Sequence, residues 1–446
     1  MFLRRRISMI HPWLDALRRQ LIRCALSGLC LSLWLPRSLA EPDNVTWTLE
    51  QAGAEAVARS PRVRMALASL EAARAYRAFG TMPRVGNPIL NLRAMVGRPD
   101  QSAATYSVML GLPFDVSGRR HAYRSEATWL EREAEAQLGV AQNEARAEAR
   151  EAFVDVVLGG ELERVAIGNA EVARDFFARV KARFDARAAT ALDVALSQRD
   201  SAESVAAIAH ARGVLIEARG RLRQVLDLAP SASFEAAALP ELRMPDQLTV
   251  ERAIELALAQ RRDPQALSAA AERTRVADQR LRRDVIAPVV VSGEYEAQAN
   301  KNTQTTGGVA VGTELPLLLR NQGERAQMKA QGNVLALDSE LTKRRVAREA
   351  MNTFLLLEVA LAELAAIERE ATPAAEQALA MTNEMLEAGA IDYFRLLNAR
   401  ESAFLLRARR VETLRAAWRQ RIALERALGG LFDASGAASA QNSEAP

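Results

Sequence analysis

Three carboxylates and one guanidinium sit at alternating positions in short β-rich stretches of this chain, and that placement is where its chemistry starts. In 289–298, Val289, Val291, Gly293, Tyr295 and Ala297 fall on one face, and Val290, Ser292, Glu294, Glu296 and Gln298 on the other. Glu314 follows from the same alternation in 309–315, and Arg93 from that in 90–96. Rings of carboxylates around an aqueous passage favour cations. Arg93, Glu294, Glu296 and Glu314 are therefore the expected lumen-facing set, with Arg93 as the opposing charge. A second set, Arg183, Asp185, Arg187, Thr190, Glu387, Gly389 and Asp392, gathers at two helix-to-helix turns, where copies of such charges could lock a constriction.

Nothing points to bond-making chemistry. There is no glycine-rich phosphate loop after a strand, no Cys/His cluster and no triad, so no catalytic residue, cofactor or metal ligand is expected. Beyond residue 40 the only histidines are His121 and His210, each alone in a polar helical stretch. Met381 and Met385, four apart, read as packing.

Residues 1–40 read as an export signal: Arg4-Arg5-Arg6 and Arg18-Arg19, an apolar core from Leu21 to Leu35, and the small-residue end Ser38-Leu39-Ala40. That segment holds seven Arg and one Asp, a net of +6. The whole chain is +4, so the remainder is −2, and the basic precursor gives no case for nucleic-acid binding. Both cysteines, Cys24 and Cys30, lie in the signal. Cys30 reads as part of the apolar core, not as a lipidation site.

The elements that position the charges occur twice. Thr48-Leu49-Glu50-Gln51-Ala52 returns as Thr249-Val250-Glu251-Arg252-Ala253, Leu112-Pro113 as Leu315-Pro316, and Thr190 as Asp392. The spacing of 201 to 203 residues is far longer than a solenoid repeat. It predicts two copies of one unit, 41–228 and 248–430, joined by a linker at 229–247 and followed by a disordered tail at 431–446. Each copy reads as helix (47–79; 249–284), two strands (88–97 and 105–114; 288–298 and 307–316), a long helix (119–184; 322–386) and a second helix (190–228; 392–429). Pro88, Pro113, Pro288 and Pro316 mark the strand–helix junctions. Heptads at Leu397, Phe404, Val411 and Trp418, and at Ile208, Leu215 and Leu222, predict coiled-coil packing. Thr190 with Asp193, and Asn321 with Glu324, read as capping boxes, with Asp392 as an N-cap. Gly389 suits the left-handed residue that closes a helix. Its counterpart Arg187 either bears a steric cost there or turns differently.

Alternation over about ten residues in hairpins fits membrane β-barrel strands. Four strands cannot close a barrel, and open edges in lipid leave backbone groups unpaired, so several chains must pool their strands. Two, three or four copies all give an even number.

The duplication, the strand pairs ending in Leu112-Pro113 and Leu315-Pro316, and the turns before Leu192-Asp193-Val194 and Phe394-Arg395-Leu396 resemble the TolC-type outer-membrane efflux factors. The stretch from Leu315-Pro316 through Arg320-Asn321-Gln322-Gly323-Glu324, and the ending Ala427-Leu428-Gly429-Gly430, are similar to the heavy-metal efflux (CzcC/CusC-like) branch. The resemblance implies an α+β membrane protein whose four strands pool into a trimeric 12-stranded β-barrel in the outer membrane lipid of a Gram-negative bacterium, above a long α-helical tunnel in the periplasm. It implies a homotrimer that meets a periplasmic adaptor (a membrane fusion protein) and an inner-membrane RND-type transporter, and works as a passive conduit for heavy-metal cations. Two alternatives stand beside it: a multidrug or type I protein secretion channel of the same architecture, and a periplasmic coiled-coil adaptor.

Overall fold

The computed structural model describes residues 45–96, 104–245, 248–299, 304–388 and 390–430. The export signal with its cysteines, Gly389, the side chain of Glu387, the strand ends near 97 and 300, linker residues 246–247 and the tail lie outside the described residues. A small separate unit comprises, among described residues, Val45-Thr46 and Ser231–Glu235; there β1 (Val45–Trp47) pairs with β4 (Phe234–Ala236). All other elements belong to the second unit.

That unit runs through one order of elements and then runs through it again. Helices α1 (Leu49–Arg59) and α2 (Pro61–Ala75) lead through a 3-10 turn (Tyr76–Thr81) to strands β2 (Ile89–Val96) and β3 (Ala104–Phe114). The long helix α3 (Arg119–Asp185) and its partner α4 (Ala191–Val225) follow. Then α5 (Val250–Gln260) and α6 (Asp263–Asp284) lead to β5 (Val289–Ala299) and β6 (Gln304–Gly312). The chain ends in α7 (Gln322–Ala366), a π-helical turn (Ile367–Ala371), α8 (Thr372–Glu387) and α9 (Tyr393–Leu428). The 67 residues of α3 span about 100 Å at 1.5 Å each.

Sequence chemistry sets the helix boundaries. Thr48 and Gln51 form a reciprocal capping box at α1, and Thr249 accepts from Arg252 N at α5. The single opening helix expected in each half is two helices. Pro61 and Pro264 lie in the first turns of α2 and α6, where the missing N–H costs nothing, but neither could continue the preceding helix. The second long helix is also not uniform. Pro373 has no N–H and its ring crowds the carbonyl four residues back, and the extra residue of the π turn just before it relieves that conflict.

Strands β2-β3-β5-β6 form one antiparallel sheet in that order, so β2 and β6 are its edges. Pro113 does not end its strand: it pairs with Val290 inside β3. Its carbonyl accepts from Gly86 N on the β2 side, so its absent N–H also faces that side, where β2 has already ended at Ile89 opposite Gly111. β6 stops at Gly312, earlier than expected, so Leu315-Pro316 lies in the loop beyond it.

The helices bury a thin core. Leu248, Val346, Phe354, Leu357, Leu424 and Leu428 join α5, α7 and α9. Leu70, Ala73 and Ala134 join α2 to α3. Ion pairs tie distant segments together, with the buried pair Arg150–Glu425 and the buried Asp155 facing Arg415 and Arg419. Among the described residues one helical run, Gln322–Leu386, contains a stretch long and apolar enough to cross a membrane, with a mean hydropathy of 1.7 and only 28% of it buried.

Candidate functional site

Register places the expected lumen charges. Arg93 lies opposite Ser107, Ser107 opposite Glu296, and Glu296 opposite Thr306, in one row across all four strands. Glu294 lies two residues along β5 from Glu296, on the same face. Asn91, Thr105, Ser292 and Gln298 share that face. Arg93 and Glu296 are two strands apart, about 10 Å, and no ion pair joins them among the described residues. Both therefore stand as separate charges on a polar surface.

The other face of the sheet is apolar and uncovered. Leu90, Leu92, Tyr106, Val108, Leu110, Tyr295, Val309 and Val311 all point that way and all are exposed, Val309 by 81%. A contiguous apolar face of this size on an open sheet is not a water-facing surface.

Glu314 does not belong to this arrangement. The alternation that placed it continues through Leu315, but the ladder stops at Gly312 and Glu314 stands exposed in the following loop. The loop is held by polar groups turned onto its backbone. Arg320 Nε donates to Pro316 O at 3.1 Å, and Gln322 Nε2 donates to Leu318 O at 3.2 Å. The capping box expected from Asn321 and Glu324 is absent. Asn321 is left-handed at φ 52° and its Nδ2 donates to Leu281 O at 3.1 Å, so its side chain ties α7 to α6 and does not cap its own helix.

At the opposite end of the helices lie the two turns, which connect in a way the sequence did not suggest. Arg187 takes the left-handed conformation at φ 59°. Arg187 N donates to Phe184 O and Ala188 N to Arg183 O, which together satisfy the last carbonyls of α3. In the second turn Ala390 N donates to Met385 O, the matching bond one half later. Thr190 and Asp193 form their capping box, and Asp392 accepts from Arg395 N at 3.1 Å. The Asp392 carboxylate therefore works as a cap on its own helix. Asp185 is exposed.

Four residues that sequence reasoning missed make the connection. Arg183 Nη1 donates to the Tyr393 hydroxyl at 2.8 Å, with its guanidinium 5.8 Å from the ring centre. Tyr393 leans on Phe176 in a cluster with Val180, Leu396 and Leu397. Just behind it, Arg400 pairs with Asp200 at 2.9 Å and lies over the Phe176 ring. Arg400 is 5% exposed, and its Nε and Nη2 have no partner. The only sequence signal was Tyr393 following an N-cap; the other contacts join residues about 200 apart and leave no local pattern.

Sheet above, paired long helices below, in two rounds: this is the TolC-like outer-membrane channel fold. A crystal structure of CusC superposes with a TM-score of 0.72 over 88% of this chain and 96% of that one, at 17% identity. The outer membrane protein VceC of Vibrio cholerae superposes with a TM-score of 0.68 over 86% of this chain and 97% of that one, at 19% identity. In sequence, the cobalt-zinc-cadmium resistance protein CzcC of Cupriavidus metallidurans is 26% identical over 77% of this chain and 81% of its own. The family of outer membrane efflux proteins matches at residues 53–227. Over that stretch the chain is similar to a family of outer-membrane transport proteins.

Proposed function

We propose that this chain is the outer-membrane conduit of a heavy-metal efflux system. The observation that carries the reading is the sheet: an uncovered apolar face, a polar face carrying Glu294, Glu296 and Arg93, and two free edges. Such a sheet is stable in lipid only when its edges are paired. All neighbours in it are antiparallel, so β6 of one copy runs antiparallel to β2 of the next and a ring closes without a mismatch. Three copies give twelve strands, and the family likeness favours that number. In this reading the two halves are copies of one unit, the paired helices extend the passage through the periplasm, and their turns meet an adaptor that joins an inner-membrane proton-driven transporter. The likeness to CzcC and CusC supports cobalt, zinc, cadmium, copper or silver ions as the cargo.

Glu294 and Glu296, repeated around the ring, bias the lumen toward cations. In planar bilayers under asymmetric salt the reversal potential is expected on the cation side, and to move toward zero in Glu296→Gln; anion preference in the unmodified protein would sink this part. The Arg183–Tyr393 and Arg400–Asp200 contacts hold the two helix hairpins together near the turns, so Tyr393→Phe should raise conductance. Asp392→Ala tests whether that carboxylate does more than cap its helix, and unchanged conductance would confine it to the cap. Cargo is tested by deleting the gene and measuring growth in zinc, cobalt, cadmium, copper and silver beside drugs and detergents. Sensitivity to drugs alone would move the protein to multidrug efflux with the fold reading intact.

A further inference from the structure

The two halves leave their strand pairs through loops of opposite chemistry. At an offset of 203 residues (114 to 317), Phe114-Asp115-Val116-Ser117-Gly118 corresponds to Leu317-Leu318-Leu319-Arg320-Asn321. In the first loop the polar groups satisfy one another. Ser117 N and Oγ both donate to Asp115 Oδ1, at 3.1 and 2.7 Å, and Arg119 pairs with Asp115 at 3.3 Å. The second loop has a leucine where Asp115 stands and an arginine where Ser117 stands. Leu317 is 68% exposed and Leu318 and Leu319 are each 84% exposed, so no described residue covers this apolar run.

The place of the loop says what meets it. It leaves β6 at the end of the sheet that joins the helices, and the exposed Val309 and Val311 of the apolar face lead toward it. The leucines therefore extend the apolar face beyond the end of the ladder. Positive charge stands beside them. Asn321 Nδ2 donates to Leu281 O, which holds the end of the loop against the end of α6, where Arg283 lies. Arg320 Nε donates to Pro316 O, and Arg283 Nη1 donates to Gly118 O at 3.0 Å. Both acceptors are neutral. Among the described residues no carboxylate pairs with either guanidinium, although Glu314 and Glu324 stand on either side of the loop. One turn further into the helices the arginines are paired, Arg280 with Glu126 and Arg325 with Asp278. An exposed apolar run beside unpaired cations is the pattern of an interfacial segment. The apolar side chains enter the acyl region and the cations stay level with the phosphates.

We infer that the loop 315–320 is an anchor in the periplasmic leaflet of the outer membrane, with Leu317, Leu318 and Leu319 in the acyl region and Arg320 and Arg283 on the phosphate of an anionic phospholipid. The inference rests on the membrane barrel proposed above and goes beyond it: the sheet spans the membrane, and this loop fixes the depth at which the sheet stops. The occupant is lipid and not a second copy for two reasons. The loop is continuous with the face the sheet turns to lipid, and a phosphodiester supplies the anion that both guanidiniums lack. The self-satisfied loop of the first half makes no such demand, so the anchor belongs to the second half.

The sequence has no cysteine after Cys30, so single-cysteine labelling reads the depth of the loop. Leu318→Cys, independently Leu319→Cys, and Val309→Cys on the apolar face are each labelled with a nitrobenzoxadiazole dye. The protein, purified from outer membranes, is reconstituted into phosphatidylcholine vesicles. These carry a doxyl quencher high on the acyl chain of either phosphatidylcholine or phosphatidylglycerol. Quenching is expected at all three positions, with phosphatidylglycerol preferred at 318 and 319 and no preference at 309. Arg320→Gln should cut that preference about fivefold, the worth of one basic residue at an anionic surface, and leave quenching at 309 unchanged. Quenching at 309 with none at 318 or 319 overturns the anchor and leaves the barrel standing, whether water or a second copy covers the loop. Quenching at none of the three overturns the barrel as well. Equal quenching by the two lipids at 318, or a preference that survives Arg320→Gln combined with Arg283→Gln, overturns the phosphate contact.

Discussion

The two halves of the molecule build the same elements and settle two of them differently. The long helix of the first half, α3, is unbroken over 67 residues, while its counterpart passes through a π turn at Ile367–Ala371 and restarts before Pro373. The first half puts Arg187 and Asp227 into left-handed helix ends, at φ 59° and 51°, whereas the second half uses glycine at 429. The packing explains the first difference. α3 carries buried residues from Ala122 to Val180 and is flanked by α2, α4, α6 and α9, whereas none of the described side chains of α8 is fully buried. A helix clamped on all sides cannot lose a hydrogen bond or bend, and one packed on a single flank tolerates both. The difference teaches that the second hairpin is the more deformable of the two.

The strongest way to break the comparison is to move the proline across. Ala170 is the residue 203 before Pro373, and it is buried within α3. Ala170→Pro removes an intrahelical bond and drives its ring into a carbonyl with no extra residue to absorb it, costing about 3 kcal/mol or more. The midpoint of chemical unfolding in detergent should fall accordingly. If it stays within error of the parent, α3 is no stiffer than its counterpart.

Helix ends give the next largest effect. At Gly429 φ is 92°, and an added Cβ would sit 3.0 Å from Gln260 C and 3.1 Å from Arg261 N. Backbone cannot yield there as a flexible side chain can. Gly429→Ala should therefore cost about 2 kcal/mol, from left-handed strain plus crowding. Asp227, one half earlier, holds φ 51° near the left-handed minimum and also reaches Arg64, so an L-residue serves there. A denaturation series in which Gly429→Ala matched the parent would show that the glycine is incidental.

Much of this was legible in the sequence, and for stated reasons. Alternation over ten residues placed Arg93, Glu294 and Glu296 on one face, because period two is a property of the strand itself. The paired anchors near Thr48 and Thr249 gave the order of the elements. Glu314 was misplaced because alternation of side chains persists after the backbone has left the ladder. Asn321 was misread because its amide found a carbonyl 40 residues back, at Leu281, sooner than the nearby amides of its own helix. The π turn, the Arg183–Tyr393 contact and the buried Arg400 depend on which helices become neighbours, and heptads indicate that a helix has a partner without naming it.

A smaller effect, of opposite sign, tests the turn of the first hairpin. Arg187 is exposed, and among the described residues only its backbone bonds hold the turn, so its side chain bears left-handed strain without a compensating contact there. Arg187→Gly should stabilise the turn by about 1 kcal/mol and give the first half the residue the second half has at 389. Slower hydrogen exchange of the amides around 184–190 would register the gain. Faster exchange would mean that the arginine side chain holds something in the assembled protein.

The smallest effect separates the halves by pH. Tyr76 follows α2 beside the Glu126–Arg280 pair, and its hydroxyl is pushed up to about 12, first by burial and then by the Glu126 carboxylate. The residue 203 further on is Gln279, so the corresponding position of the second half has no phenol. A phenol whose folded-state pKa lies above its unfolded value near 10 favours folding in its protonated form. That contribution is fully present below pH 10 and is lost as pH rises toward 12, when a phenolate after α2 would face the Glu126 carboxylate of α3. Absorbance titration should show a late tyrosine step near pH 12, and Tyr76→Phe should remove it. Because Tyr76 is partly solvated, the associated loss of stability between pH 10 and 12 is modest, and the same substitution should flatten it. If the late step survives in Tyr76→Phe, another tyrosine carries it, and the alkaline weakness does not belong to the turn after α2.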